Sequence, residues 1–241
     1  MTRRRLSRAQ NGRPAAPVKT VHLGLGNFFR AHSAWYTEHC GDDWGIAAFS
    51  GRTDTHVAEL RSQDCLYTLV QQGREVTSEV ISALVAVHPG HDLAAWRGYF
   101  ASPEVQIVTS TITEAGYVRD GSGRLDLANP AVIADIAALQ ADPQAGVVTT
   151  APGKFVAGLM ARRAAGAGPI TFVPCDNIID SGALVRSVVR ALAEQVDPSL
   201  LNWLEEHVSY VTSMVDRITP RPTEADLEAV ARLTGVTDAA P

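Results

Sequence analysis

The stretch TVHLGLGNFFRAH, residues 20–32, decides the fold class of this 241-residue chain. Residues 20–25 form a short, mostly apolar run, which is typical of a buried β-strand. Gly24 and Gly26 close that run, and residues 28–40 have helical character. A strand that turns through glycines directly into a helix is the opening unit of many α/β proteins.

Beyond this stretch, short apolar segments alternate with helical ones. Strands are predicted at 44–49, 106–110, 170–174 and 208–212. Helices are predicted at 54–62, 92–100, 130–139, 154–165, 181–195 (with Ser181 as N-cap) and 223–233. Residues 67–71 and 75–87 alternate around Gly73, which indicates a hairpin. The whole pattern predicts an α/β fold with a doubly wound, mostly parallel Rossmann-type sheet and helices on both faces. Ligands then bind at the carboxyl ends of the strands.

Charge and composition divide the chain into three parts. Residues 1–19 hold six of the 21 basic residues together with Pro14 and Pro17, so we expect a solvated, disordered basic arm. The remainder has 15 basic against 26 acidic residues, which argues against nucleic acid as the main partner. We expect a dinucleotide-binding domain over 20–222, and over 223–241 a linker or the start of a helical C-terminal domain.

The cysteines and the hydropathy pattern bear on compartment and metal binding. Cys40, Cys65 and Cys175 are far apart and odd in number, so a reducing cytoplasm is predicted. No run approaches the ~20 apolar residues that span a bilayer. His88 and His91 are the closest pair of metal-ligand type, and we expect no metal site.

The glycine turn favours a dinucleotide ligand. A glycine at position 26 lets the backbone approach a pyrophosphate closely, although Phe29 occupies the place of the third glycine in the usual fingerprint. The alternative is an ordinary tight turn. Asp54 follows the second strand and is a candidate for binding the adenosine ribose, with helix capping as its alternative. Arg52 could instead face a 2′-phosphate, so NAD is favoured and NADP is not excluded.

Five ordered motifs resemble the mannitol dehydrogenase family, the polyol-specific long-chain dehydrogenases. They are HLGLGNFFRAH at 22–32, QDCLYTLV at 63–70, TITEAGY at 111–117, CDN at 175–177 and SMVDRITP at 213–220. The resemblance implies an N-terminal Rossmann-type domain, a mostly helical C-terminal domain, and hydride transfer between NAD(P) and a polyol or ketose without a metal.

The resemblance also implies roles for individual residues. The pyrophosphate side is assigned to Gly24, Gly26, Asn27, Phe28, Phe29 and Arg30. Asp54 selects NAD, Thr113 and Glu114 lie near the nicotinamide, Asn177 polarises the reacting oxygen, and Val215 and Asp216 contact the sugar chain. From the residues alone, Glu114 could be an ordinary loop carboxylate, Asp176-Asn177 could cap a turn, and Asp216-Arg217 could be an ion pair. Two departures from the family pattern, Phe29 in place of His and Thr53 in place of an acid, bear on the cofactor assignment.

The family's general base is a lysine in the C-terminal domain, and this chain has only two lysines. Lys19 precedes the first strand, and Lys154 begins a helix within the nucleotide domain. We therefore expect a polyol dehydrogenase whose catalytic lysine lies outside this chain, in a C-terminal domain or partner chain. The alternative is a non-catalytic dinucleotide-binding module or half of a split enzyme.

Overall fold

The computed structural model describes residues 4–51, 53–74, 76–215, 217–220 and 223–241. These residues form two compact units. The first unit consists of the chain up to Gly90 together with the part that follows Val215, and the second runs from His91 to Val215.

The strands are β1 (Arg4–Arg5), β2 (Val18–Leu23), β3 (Gly45–Phe49), β4 (Tyr67–Gln72), β5 (Val76–Ile81), β6 (Leu84–His88), β7 (Ile107–Ser110), β8 (Ile170–Pro174), β9 (Val208–Tyr210) and β10 (Val236–Thr237). The helices are α1 (Arg8–Asn11), α2 (Asn27–Ala31), α3 (Ser33–Glu38), α4 (Thr55–Arg61), α5 (Leu93–Phe100), α6 (Pro130–Ala141), α7 (Ala151–Ala165), α8 (Ser181–Val196), α9 (Leu200–His207) and α10 (Glu224–Thr234). A 3-10 turn covers Glu114–Tyr117.

Three parallel strands form the centre of the first unit, in the order β6–β3–β2. Val21 lies opposite Ala47, and Ile46 lies opposite Leu84. All five residues of β3 are buried, as expected for a central parallel strand that is covered on both faces.

The hairpin predicted around Gly73 is confirmed as the antiparallel pair β4–β5, in which Gln72 lies opposite Val76. The predicted strand over 75–87, however, is divided. β5 ends at Ile81, and β6 begins at Leu84 and joins the parallel sheet next to β3. A continuous β-rich segment does not show in its sequence where the chain leaves one sheet for another.

The basic arm differs from the expected solvated segment. Leu6 is buried, and β1 pairs in parallel with β10. The Arg8 guanidinium donates to the carbonyls of Arg13 (2.8 Å), Ser82 (2.9 Å) and Leu84 (2.6 Å). An arginine carries five donors in a rigid fork, so it can hold a short segment of chain against exposed carbonyl groups. Residues 1–3 lie outside the described residues.

The segment 223–241 packs in the first unit rather than standing apart as a linker. Thr223 and Asp226 form a capping box at the start of α10, and Gly235 ends the helix in the left-handed conformation. Ala240 is buried, and the Asp238 carboxylate accepts hydrogen bonds from Gln63 Nε2 (2.6 Å) and the Thr68 amide.

Three further parallel strands, in the order β7–β8–β9, form the sheet of the second unit. The helix α7 is largely buried and packs against α5, where Phe100, Phe155 and Phe172 form an aromatic cluster. The helix predicted from Ser181 is present as α8. Its N-cap is Asp180, while the buried Ser181 hydroxyl donates to the Pro174 carbonyl at 3.3 Å.

Parallel strands alternate with helices in both units, so the predicted α/β Rossmann-type class is confirmed.

Candidate functional site

Backbone hydrogen bonds fix the glycine turn between β2 and α2 and leave space beside Gly26. The Gly24 and Leu25 amides donate to the Phe49 carbonyl at 2.9 and 3.0 Å, which ties the turn to the end of β3. Gly24 has a φ of 113°, a conformation that favours glycine. At Gly26, an added Cβ would have nothing nearer than the Gly24 carbonyl oxygen at 3.7 Å. A ligand can therefore approach the backbone closely at Gly26.

The residues that follow the turn fall into two groups. Asn27 and Phe28 are half-buried, whereas Phe29 and Arg30 are within the unit and are 0% and 3% exposed. Phe29 stacks on the buried His22 with ring centroids 3.7 Å apart. Both side chains are buried at the start of α2, and the expectation that Phe29 and Arg30 line a pyrophosphate stays a prediction.

Arg30 connects α2 to the segment after α10. Its guanidinium donates to Asn27 Oδ1 at 2.7 Å and to the Ala240 carbonyl. Its own carbonyl accepts from the Tyr67 hydroxyl at 2.6 Å. Burial raises the pKa of Tyr67 well above its ordinary value, so the hydroxyl remains a donor.

Asp54 lies a few residues beyond β3, in the segment that leads to α4. An added Cβ on Gly51 would come 4.0 Å from Gly24 Cα, so the chain after β3 passes close to the turn. Asp54 is exposed and is the N-cap residue of α4 by position, but its side chain makes no capping bond to that helix. Its carboxylate accepts from the Ser50 hydroxyl instead. Arg52 lies outside the described residues.

A cavity of about 640 Å³ lies in the first unit beside α2. Asn27 and Arg30 line it on one side and the β4–β5 hairpin on another. The segment Arg217–Pro220 lines a third side. The Arg217 guanidinium lies 4.1 Å from the Trp35 ring centroid and donates to the Ala31 carbonyl, so cation–π stacking holds this segment to α3.

The predicted site residues of the second unit lie on loops after neighbouring parallel strands. Thr113 and Glu114 follow β7, and Asn177 follows β8. All three are exposed. Glu114 forms an ion pair with Arg119 and is 71% exposed, which is also how an ordinary loop carboxylate behaves. Val215 is half-buried, and Asp216 lies outside the described residues, so its predicted contact with substrate stays a prediction.

A buried carboxylate joins the two loops, a role that was not predicted from the sequence. Asp176 accepts hydrogen bonds from the Ile112 amide (2.6 Å), the Ser110 hydroxyl (3.2 Å) and the Tyr117 hydroxyl. Burial raises the pKa of the Asp176 carboxyl, while these hydrogen bonds lower it. Burial also raises the pKa of Tyr117 far above its ordinary value. The CDN motif drew attention to Asp176 only as a turn-capping residue.

Both lysines are part of secondary-structure elements. Lys19, which was expected to precede the first strand, is in β2, and Lys154 is in α7. Lys19 lies over the Trp44 ring at 5.2 Å from its centroid. Lys154 is 9% exposed within α7, and its carbonyl accepts from the Trp96 indole at 2.7 Å. Among the described residues there is no group of three or more His, Cys, Asp or Glu side chains that could hold a metal ion. No helix in the described part of the chain is long and apolar enough to cross a membrane.

Comparison with known proteins agrees with this geometry. The model of the mannitol dehydrogenase Rossmann domain matches residues 18–236. The chain belongs to the mannitol dehydrogenase family. Its Rossmann-domain match includes the glycine turn, Asp54 and both loops of the second unit.

Members of the mannitol dehydrogenase family resemble the chain along nearly all of its length. It is 39% identical to D-arabinitol 4-dehydrogenase of Ralstonia nicotianae, with 100% of this chain and 51% of that protein covered. It is 37% identical to mannitol 2-dehydrogenase of Cereibacter sphaeroides, with 93% and 48% covered. The solved Pseudomonas fluorescens mannitol 2-dehydrogenase, a ternary complex with NAD and D-mannitol, has a TM-score of 0.84 at 32% identity and covers 100% of this chain and 50% of that one. The chain thus spans about half the length of the relatives it matches.

Proposed function

We propose that this chain is the dinucleotide-binding domain of an NAD-dependent polyol oxidoreductase. The observation that carries the proposal is the open approach at Gly26, in a turn that the Phe49 carbonyl fixes at the end of β3. Backbone that a ligand can reach closely is what binding of a pyrophosphate requires. The family membership and the NAD complex of the solved relative support the same conclusion.

The residues around the turn fit a dinucleotide. Gly24 and Gly26 form the turn, and Asn27 and Phe28 are half-buried beside it. In the proposal they contact the pyrophosphate, while Phe29 and Arg30 support them from the core. The exposed Asp54 carboxylate binds the adenosine ribose hydroxyls, which favours NAD because a 2′-phosphate would meet a negative charge.

The second unit supplies the groups for the reacting end. When bound, the nicotinamide supplies the hydride acceptor for oxidation of a polyol. The Asn177 amide donates to the reacting oxygen, and a preorganised donor of this kind stabilises developing negative charge by about 3 kcal/mol. Thr113 and Glu114 lie on the nicotinamide side, and Val215 and Asp216 contact the sugar chain. The substrate pair is of the mannitol/fructose or mannitol-1-phosphate/fructose-6-phosphate type.

Oxidation of an alcohol also requires a base for the hydroxyl proton, and neither lysine is suited to this role. Lys154 is buried within α7, and Lys19 is part of β2 and lies over Trp44. This favours a second candidate, a dinucleotide-binding module or half of a split enzyme whose lysine comes from a C-terminal domain or partner chain.

Two measurements test the proposal. Titration of the chain with NADH and with NADPH, followed by nicotinamide fluorescence, measures cofactor binding. Reduction of NAD in the presence of D-mannitol, followed by absorbance, measures turnover. We expect saturable binding with NADH preferred and no turnover by this chain alone. Turnover would contradict the placement of the base outside the chain, and absence of binding to either nucleotide would overturn both candidates.

A further inference from the structure

The Asp176 carboxylate is the point at which two chain segments of the second unit are joined. Asp176 is 4% exposed. The three groups that donate to its carboxylate all come from the segment that runs from the end of β7 through the 3-10 turn, about sixty residues earlier in the chain. Ser110 and Tyr117 are buried as well, and their hydroxyl oxygens lie 3.2 Å apart.

A network of this kind depends strongly on its acceptor. Removing the carboxylate would leave the buried hydroxyls and the Ile112 amide without their partner, which costs more than the bonds themselves contribute. The two segments would then lose their common anchor. The Ile178 amide donates to the Asp176 carbonyl at 2.8 Å, so the backbone turn next to Asn177 is part of the same arrangement.

The residues that flank this network are the exposed ones. Asn177 is adjacent to Asp176, and Thr113 and Glu114 lie between Ile112 and Tyr117. The Ile112 amide and the Tyr117 hydroxyl thus hold both ends of the Thr113–Glu114 loop to the residue beside Asn177. The network fixes the position of one loop against the other while its own side chains remain inaccessible to a ligand.

We propose that Asp176 is a positioning residue, which sets the Thr113–Glu114 loop against Asn177 for the nicotinamide end of the cofactor. This inference rests on the proposed function, because that function assigns these loops to the nicotinamide side. Tyr117 is a second positioning residue, since its hydroxyl donates to the Asp176 carboxylate from the far end of the Thr113–Glu114 loop.

The second unit offers a matched control in Asp135. This aspartate in α6 is also almost fully buried and accepts from the Thr149 and Thr150 amides at 2.8 and 2.9 Å and from the Thr150 hydroxyl at 2.6 Å. Its hydrogen bonds fix the N-cap residue Thr150 at the start of α7 and involve neither Thr113 nor Asn177. Substitutions at Asp135 and Asp176 disturb comparable buried networks, but only the Asp176 network is hydrogen-bonded to both ends of the segment that carries Thr113 and Glu114.

The test compares two ligands that differ at one end. NADH and ADP-ribose share the adenosine and pyrophosphate, and ADP-ribose lacks the nicotinamide. The dissociation constants of both are measured by calorimetry for the full chain, for Asp176→Asn and for Asp135→Asn. We expect Asp176→Asn to weaken NADH about fivefold or more, as for about one misplaced hydrogen bond, while ADP-ribose changes less than about twofold. Asp135→Asn leaves the ratio of the two constants unchanged.

Tyr117→Phe keeps the test decisive if Asp176→Asn does not fold. It removes one donor and retains the ring, so we expect a smaller loss in the same direction and for NADH alone. An unchanged ratio in a folded Asp176 or Tyr117 variant, or equal losses for both ligands, overturns the positioning role. Failure of the unsubstituted chain to bind either ligand overturns the proposed function instead.

Discussion

At the scale of single residues, His22 is an ionisable side chain in the middle of a core strand. It is fully buried in β2 and stacks on Phe29. Burial lowers the pKa of His22 to about 3. Because this value is below the ordinary value of about 6.5, the unfolded chain binds the proton more readily, and stability falls as the pH decreases below about 6.5.

The variant His22→Gln removes this proton linkage. Between pH 6.5 and 5.0 the unsubstituted chain is expected to lose about 2 kcal/mol more free energy of unfolding than the variant, at about 1.4 kcal/mol per pH unit. Urea unfolding at pH 7.5, 6.5 and 5.0 measures the difference. Equal losses in the two proteins would show that His22 does not carry the linkage.

Asp54 belongs to the same scale. In the proposed function its exposed carboxylate would repel a 2′-phosphate, so Asp54→Ser is expected to shift the ratio of NADPH to NADH affinity by about tenfold in favour of NADPH. Fluorescence titrations with both nucleotides measure the ratio. Asp42→Ser, at another exposed acid, serves as the control, and an equal shift in both variants would exclude a specific contact.

At the scale of elements, two helical glycines have opposite surroundings. An added Cβ at Gly158 in α7 would lie 2.7 Å from Phe100 Cγ, whereas at Gly98 in α5 nothing lies within 4 Å. Gly158→Ala is expected to lower the free energy of unfolding by about 1–3 kcal/mol through overpacking, and Gly98→Ala to raise it by about 0.5–1 kcal/mol through helix propensity. Denaturant unfolding of both variants checks the two signs. A stabilising Gly158→Ala would contradict the close packing of α5 on α7.

The elements also show where prediction from sequence succeeded. The strands β2 and β3 and the hairpin β4–β5 were predictable because apolar runs and turn residues are local signals. The predicted helix over 28–40 is divided at His32, whose φ of −113° and ψ of −90° interrupt the helical backbone. Residues 28–40 contain neither glycine nor proline, so we attribute the interruption to tertiary packing. A local sequence pattern carries no information about such packing.

At the scale of the whole molecule, the first unit joins segments from both ends of the described chain. The arm was expected to be solvated because arginine-rich segments usually are, yet Leu6 is buried and Arg8 holds the arm to three carbonyls. Arg8→Ala is expected to lower the free energy of unfolding by about 1–3 kcal/mol, because the partly buried carbonyls of Ser82 and Leu84 lose a charged donor. Arg5→Ala, at an exposed arginine of the same arm, is the control and is expected to change it by less than about 0.5 kcal/mol in urea unfolding. Equal effects of the two would contradict the anchoring.

For the proposed site, as for the fold, local features could be predicted from the sequence and contacts between distant segments could not. Gly24, Gly26 and Asp54 were proposed as site residues from local pattern, and Asn177 from the family resemblance. The connection between Asp176 and Tyr117 was not predictable, since the two residues are 59 positions apart and meet only because β7 and β8 are neighbours. Phe29 and Arg30 were assigned to the ligand from their place in the motif; that their side chains are buried was not predictable from the motif.

In the proposed function a nicotinamide dinucleotide binds against the backbone at Gly26, and the variant Gly26→Val blocks that approach. The backbone there is extended, with φ −142°, and the nearest atom to an added Cβ is 3.7 Å away, so the fold has room for a Cβ at this position. NADH titration is carried out on this variant and on Gly121→Val, at a loop glycine with nothing within 4 Å. We expect Gly26→Val to lose about tenfold or more in NADH affinity with its thermal stability retained, and Gly121→Val to keep its affinity. Unchanged NADH affinity in a folded Gly26→Val protein would contradict it.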